Sequence, residues 1–219
     1  MALDAISLAI SPYIARANKA VEFYKTNYNL TASKGLMMAI AEGPILEGTT
    51  SSGWPTDSTG AEVVPLPTLN TYDLDSVIGF KRVKTISFVI PDNTGNISVG
   101  GITWSKINSD SIDELTKLVY VKKSRWIYVD AELTVSEFVN RTYRQVGLYS
   151  SLQVDTNVIS ENEAQSRTLF LPSEIKRIEK TVTLYDNRIY DGILEVYQNK
   201  STTVRSNEYK ELFAWVLEF

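Results

Sequence analysis

From Lys84 onward the sequence keeps returning to a period of two, in runs too short for helices. Lys84–Pro91 (KTISFVIP), Trp126–Leu133 (WIYVDAEL), Tyr143–Tyr149 (YRQVGLY), Gly192–Tyr197 and Leu212–Phe219 are rich in β-branched and aromatic residues. Such residues suit a pleated, half-buried surface, and turn formers separate the runs. Asp92-Asn93-Thr94-Gly95-Asn96 stands between the first run and a second at Ile97–Ile107, which predicts a hairpin. Gly100-Gly101 inside that second run predicts a bulge or tight bend. Ile178–Tyr185 is a further strand-like run, with Asp186-Asn187-Arg188 and Asn199-Lys200-Ser201 as the turns that follow. The expected class is therefore mainly β: an antiparallel β-sandwich with one or two short helices and a long Pro/Gly-rich loop.

Helical periodicity is clearest near the start. Across Tyr13–Tyr28, Ala17, Ala20, Val21 and Tyr24 fall on one face, while Arg16, Lys19 and Lys25 lie opposite. Pro12 suits a first helical turn, with Ser11 as the cap. Leu36–Ala41 is apolar and short, so it reads as a buried strand. Asp113–Val121 fits a short helix and the start of a strand equally well. Val154–Thr168 is polar and reads as a loop.

Residues 42–70 are the least regular stretch, with four glycines and four prolines among serines and threonines. Loops longer than about 12–15 residues in compact domains carry function or are disordered. Trp54-Pro55 and Val63-Val64-Pro65-Leu66-Pro67 give this loop apolar anchors that a linker does not need. It reads in two ways: a surface loop pinned to its own domain, or an arm packed on a neighbouring subunit. The whole chain, residues 1–219, is expected to form one structural domain with 42–70 as its extended loop or arm.

Composition narrows the chemistry. The 219 residues include no histidine and no cysteine, which removes Ser-His-Asp and Cys-His machinery, the usual zinc ligands and disulfides. A net charge of -4 supplies no field for nucleic acid or an anionic membrane. Ala5–Ile10 is too short to span a bilayer and has no basic start of a signal peptide. Asp73-Leu74-Asp75 has the spacing of a cation-binding D-x-D, but stands alone in a polar stretch. Phosphate-binding glycine motifs are absent from the sequence. The expectation is a protein without catalytic residues, metal or cofactor, whose work is contact. Twelve tyrosines and four tryptophans keep a carbohydrate-binding module open as another reading.

Several segments together carry a family resemblance. Thr142–Tyr149 (TYRQVGLY) is followed by Asp191–Lys200 (DGILEVYQNK) and a closing Tyr209–Phe219 (YKELFAWVLEF). Ala17–Tyr24 (ANKAVEFY) and Trp54-Pro55 with the later Pro65-Leu66-Pro67-Thr68 add to it. This pattern resembles the baseplate wedge subunits of the gene-product-eight type in T-even-like contractile-tailed bacteriophages. The resemblance implies a β-sandwich virion protein of the phage tail, assembled in the host cytoplasm, that forms a homodimer and binds other baseplate subunits. Related patterns in neck, collar and fibre-attachment proteins leave the place in the virion open. The contact residues expected are Trp54, Pro55, Pro65 and Pro67 in the loop, together with Tyr143 and Arg144.

Overall fold

The structure is a computed structural model that describes residues 12–178 and 189–219. It is mainly β, with ten strands in two antiparallel five-stranded sheets and three α-helices among the described residues. The chain divides into two compact units. One gathers the amino-terminal helix, Ile86–Val129 and Ala214–Phe219; the other is Thr26–Thr85 with Asp130–Phe213.

The first unit opens with α1, Tyr13–Asn27, whose Ala17, Ala20 and Val21 are buried as the periodicity required. Strand β3 (Thr85–Pro91) is joined by the Asp92 turn to β4 (Ile97–Val99) and β5 (Ile102–Lys106). Asp92 accepts the Thr94 amide at 2.9 Å, the bond that makes this cluster a turn. Gly100 and Gly101 both have positive φ, so the expected second strand is itself a tight hairpin turning at that pair. Asp113–Val121 resolves as helix: α2 (Ile112–Val121) starts at Ser111, whose side chain accepts the Glu114 amide. Strands β6 (Trp126–Leu133) and β10 (Glu211–Glu218) complete the sheet order β10-β6-β3-β5-β4. Val89, Trp104 and Tyr128 form a core here, and the Trp104 and Trp126 rings lie 5.8 Å apart.

The second unit holds β1 (Lys34–Ala41), β2 (Val77–Arg82), β7 (Thr142–Gln153), β8 (Leu169–Phe170) and β9 (Ile193–Val204), in the order β8-β2-β1-β7-β9. Seven successive residues of β1 are buried, which explains why it reads as an unbroken apolar run: both faces are covered. Met38 stands opposite Lys81 on one side and Leu148 on the other, and Gly147 of β7 faces Tyr197 of β9. Phe80 packs edge-on against Tyr149 at 5.7 Å and Tyr190 at 4.9 Å inside this core. Two buried arginines donate to carbonyl oxygens, which offset the cost of burying a charge, although the buried Arg205 Nε itself makes no hydrogen bond and lies 3.9 Å from Glu211. Arg82 donates to Leu30, Ala32, Ala164 and Arg167, and Arg205 to Leu133, Thr134, Ser206 and Tyr209.

Three sequence expectations change. Val154–Thr168 is not all loop: α3 (Glu161–Ser166) forms because Ser160 caps the Glu163 amide and Ala164 is buried. With α3 the α-helices among the described residues number three, where one or two were expected. Asn199-Lys200-Ser201 is no turn, because β9 continues through it to Val204, absorbing the irregularity as a bulge against β7 between Tyr143 and Gln145. The Ser11 cap, the Ile178–Tyr185 run beyond Ile178 and the Asp186-Asn187-Arg188 turn lie outside the described residues.

Candidate functional site

The 42–70 stretch builds itself from two small hairpin-like turns. Ile45 bridges Ser52, and the Gly53 amide donates to the Pro44 carbonyl at 2.9 Å. Thr56 then bridges Glu62 around a turn in which Asp57 accepts the Thr59 amide at 2.8 Å and the Ala61 amide at 3.0 Å. The Thr59 hydroxyl, followed by these amides, holds the Asp57 carboxyl below its usual range. Gly43 makes the entry possible. Its φ is +93°, and a Cβ there would lie 3.4 Å from Arg144 Cβ.

Beyond these turns the loop is fastened along β9. Trp54 is only 3% exposed, and its Nε1 donates to the Lys200 carbonyl at 2.7 Å. Glu62 accepts from the Thr202 amide at 3.1 Å and from Arg144 Nε at 3.2 Å. Arg144 also donates to the Glu42 carbonyl at 3.2 Å, so one guanidinium ties both ends of the loop's first half. The Thr202 hydroxyl, against a smaller opposing effect of burial, holds the Glu62 carboxyl below its usual range. Further along, Asn199 Nδ2 donates to the Pro65 carbonyl at 2.9 Å, and the Tyr197 hydroxyl bonds Thr68 and Thr71. An exposed sheet edge is a template for unwanted pairing, and at Lys200 and Thr202 this loop occupies the backbone groups of β9.

The expected contact residues therefore separate. Pro55, Pro65 and Pro67 are exposed, whereas Trp54 is sunk in the chain that carries it. Tyr143 is fully buried, packs against Phe213 at 6.4 Å, and donates to Glu211 while accepting from Lys200 Nζ at 3.2 Å. Burial, then the bond to Glu211, pushes the Tyr143 hydroxyl far above its usual range. The apolar anchors expected at 63–67 are corrected. Trp54 alone is sunk from solvent and Val64 is half-buried, whereas Val63 is 50% exposed, Leu66 86% and Leu69 103%. What fastens 62–69 is polar: Glu62, Asn199, Tyr197 and Thr202. Sequence reading assigned none of those four a contact with the loop, because their partners lie more than a hundred residues away.

The carboxylate pair does not converge on a site. Asp75 exchanges hydrogen bonds with Gln145, its amide donating at 2.8 Å, and Asp73 accepts the Ile189 amide. No group of three or more carboxylates able to hold a metal occurs among the described residues. An open polar cleft of about 430 Å³ lies beside the loop, lined by Glu42, Ser51, Ser52, Arg141, Thr142 and Arg144 among others. Its lining holds hydroxyls and guanidinium groups and no aromatic ring on which a sugar would stack. No helix of the described residues is long and apolar enough to cross a membrane.

Comparison with known proteins relates the chain to a family and to a phage virion protein. A family model described as "Baseplate wedge 3 tail fiber network component" matches residues 48–219, which takes in most of the loop, β9 and both closing strand motifs. Virion protein 3 of Enterococcus phage phiEF24C is 25% identical over 174 residues, covering 76% of this chain and 81% of that protein.

Proposed function

Because the chain belongs to the baseplate wedge 3 tail fiber network component family, we propose that it is a non-enzymatic subunit of the baseplate wedge of a contractile phage tail. It works by burying surface against a second copy of itself and against neighbouring tail subunits, and it is built into the virion in the host cytoplasm. The observation that carries this reading is the extent of the family match, which runs from residue 48 through most of the fastened loop and every strand after β1. Stable protein interfaces bury about 1,200–2,000 Å² in total, and residues that stay exposed in the chain alone are where such area is available. Pro55, Pro65 and Pro67 meet that condition; Trp54 and Tyr143 serve by holding the presenting framework. The chain acts as one structural domain, since β6 and β10 each contribute residues to both units.

Two measurements test this. Antibody labelling of intact particles in the electron microscope is expected to mark the baseplate; labelling of the neck or collar would overturn the assignment. Light scattering on the purified chain is expected to give the mass of a dimer, and a monomer at all concentrations would remove the self-association.

A further inference from the structure

The segment 62–69 repeats every three residues in what it touches. Glu62 accepts the Thr202 amide at 3.1 Å, the Pro65 carbonyl accepts Asn199 Nδ2 at 2.9 Å, and the Thr68 carbonyl accepts the Tyr197 hydroxyl at 3.2 Å. The residue after each of these, Val63, Leu66 and Leu69 in turn, is half to fully exposed. Residues 63–68 form no regular element and Leu69 opens a turn in which the Thr71 amide donates to the Thr68 carbonyl at 3.4 Å; in extended, proline-bearing chain, residues three apart share an edge. Pro65 and Pro67 preset the backbone for that form. One edge of the segment is thus fixed to β9 and the next carries three aliphatic side chains into solvent. A linker has no need of evenly spaced anchors, and a core segment would not leave its leucines outside.

We infer that Val63, Leu66 and Leu69 form a preorganised ridge that inserts into an uncharged groove, lined by aromatic and aliphatic side chains, on a different subunit of the baseplate. This rests on the baseplate role proposed above. Residues 63–72 (VVPLPTLNTY) include no charge, so the complementary surface has none to satisfy. Proline-flanked segments of this periodicity are held by aromatic-lined grooves, and a segment already fixed in its bound shape avoids most of the ordering cost of binding. The ridge stands proud of the chain, so its complement is concave. The open cleft beside the loop is lined by Glu42, Arg141 and Arg144 among hydroxyls, so a second copy offers this ridge a charged surface there, and the complement lies on a different subunit.

The test co-expresses the full chain with the neighbouring baseplate wedge proteins of the same phage and compares it with a Leu66→Asp/Leu69→Asp double variant. The wild type is expected to co-purify with them. The double variant is expected to keep its circular dichroism and melting temperature but to bind about a hundredfold more weakly, the loss of two buried leucine side chains. Leu66→Met/Leu69→Met is expected to keep binding. A double variant that binds its neighbours as the wild type does overturns the ridge. One that keeps its neighbours but loses self-association overturns the choice of partner. A wild type that binds no baseplate protein overturns the baseplate role and this inference with it.

Discussion

The two halves of the 42–70 loop are built from similar residues and put them to opposite use. The first half sinks Trp54 into its own chain and closes the contact with an indole bond to the Lys200 carbonyl. The second half is held by Glu62, the Pro65 carbonyl and Thr68, and leaves Val63, Leu66 and Leu69 in water. Hydrophobicity is the same signal in both, yet in one it fastens and in the other it is displayed. Tryptophan brings a large ring and a donor that together reward burial against a strand edge. Leucine brings only area, which a partner can cover as well as the chain itself can.

The contrast breaks most visibly at Trp54. Trp54→Ala removes a buried aromatic and its hydrogen bond, and is expected to cost about 3–4 kcal/mol in chemical denaturation. Glu62→Ala is expected to cost about 1 kcal/mol, because it removes the bonds to Thr202 and Arg144 at a partly exposed site. Its clearer effect is on order: amide exchange at Val63, whose N–H donates to the Pro55 carbonyl, should accelerate while β1 amides stay protected.

Acid sharpens the same distinction. Glu62 is held below its usual carboxylate range, so its contribution is complete above the unfolded value and is lost as pH falls through the lower folded one. Exchange across 62–68 is therefore expected to rise below about pH 4, while the fluorescence maximum of a variant that keeps Trp54 as its one tryptophan, set by burial, holds its position there. Leu66→Asp is expected to shift stability by less than about 0.5 kcal/mol, since the side chain touches little in the chain alone. A large destabilisation at Leu66 would mean that the second half is packed like the first.

Local patterning carried much of the fold. Lys84–Pro91, Trp126–Leu133 and Leu212–Phe219 lie within a residue or so of strands β3, β6 and β10, because each has β-branched or aromatic residues bounded by turn formers. β2 was missed: VIGFKR ends in two basic residues that read as exposed, but Lys81 pairs with Glu137 at 2.5 Å and Arg82 is buried among carbonyls. The α3 helix was hidden by its polarity, being set by a cap and one buried alanine rather than an apolar face. At the loop, the sequence announced anchoring residues without saying which apolar group anchors. That choice depends on Tyr197, Asn199 and Thr202, remote residues whose side chains and backbone meet the loop only once β9 is in place.

The most direct test of displayed against buried apolar groups uses a property of the chain itself. It has no cysteine, so a single Leu66→Cys thiol is the only one present. In the isolated protein that thiol is expected to react with a maleimide as fast as a free thiol, because the position is open. In assembled baseplates the account predicts a rate at least about tenfold lower, the ridge being covered by a neighbouring subunit. Equal rates in the free protein and the baseplate would contradict it.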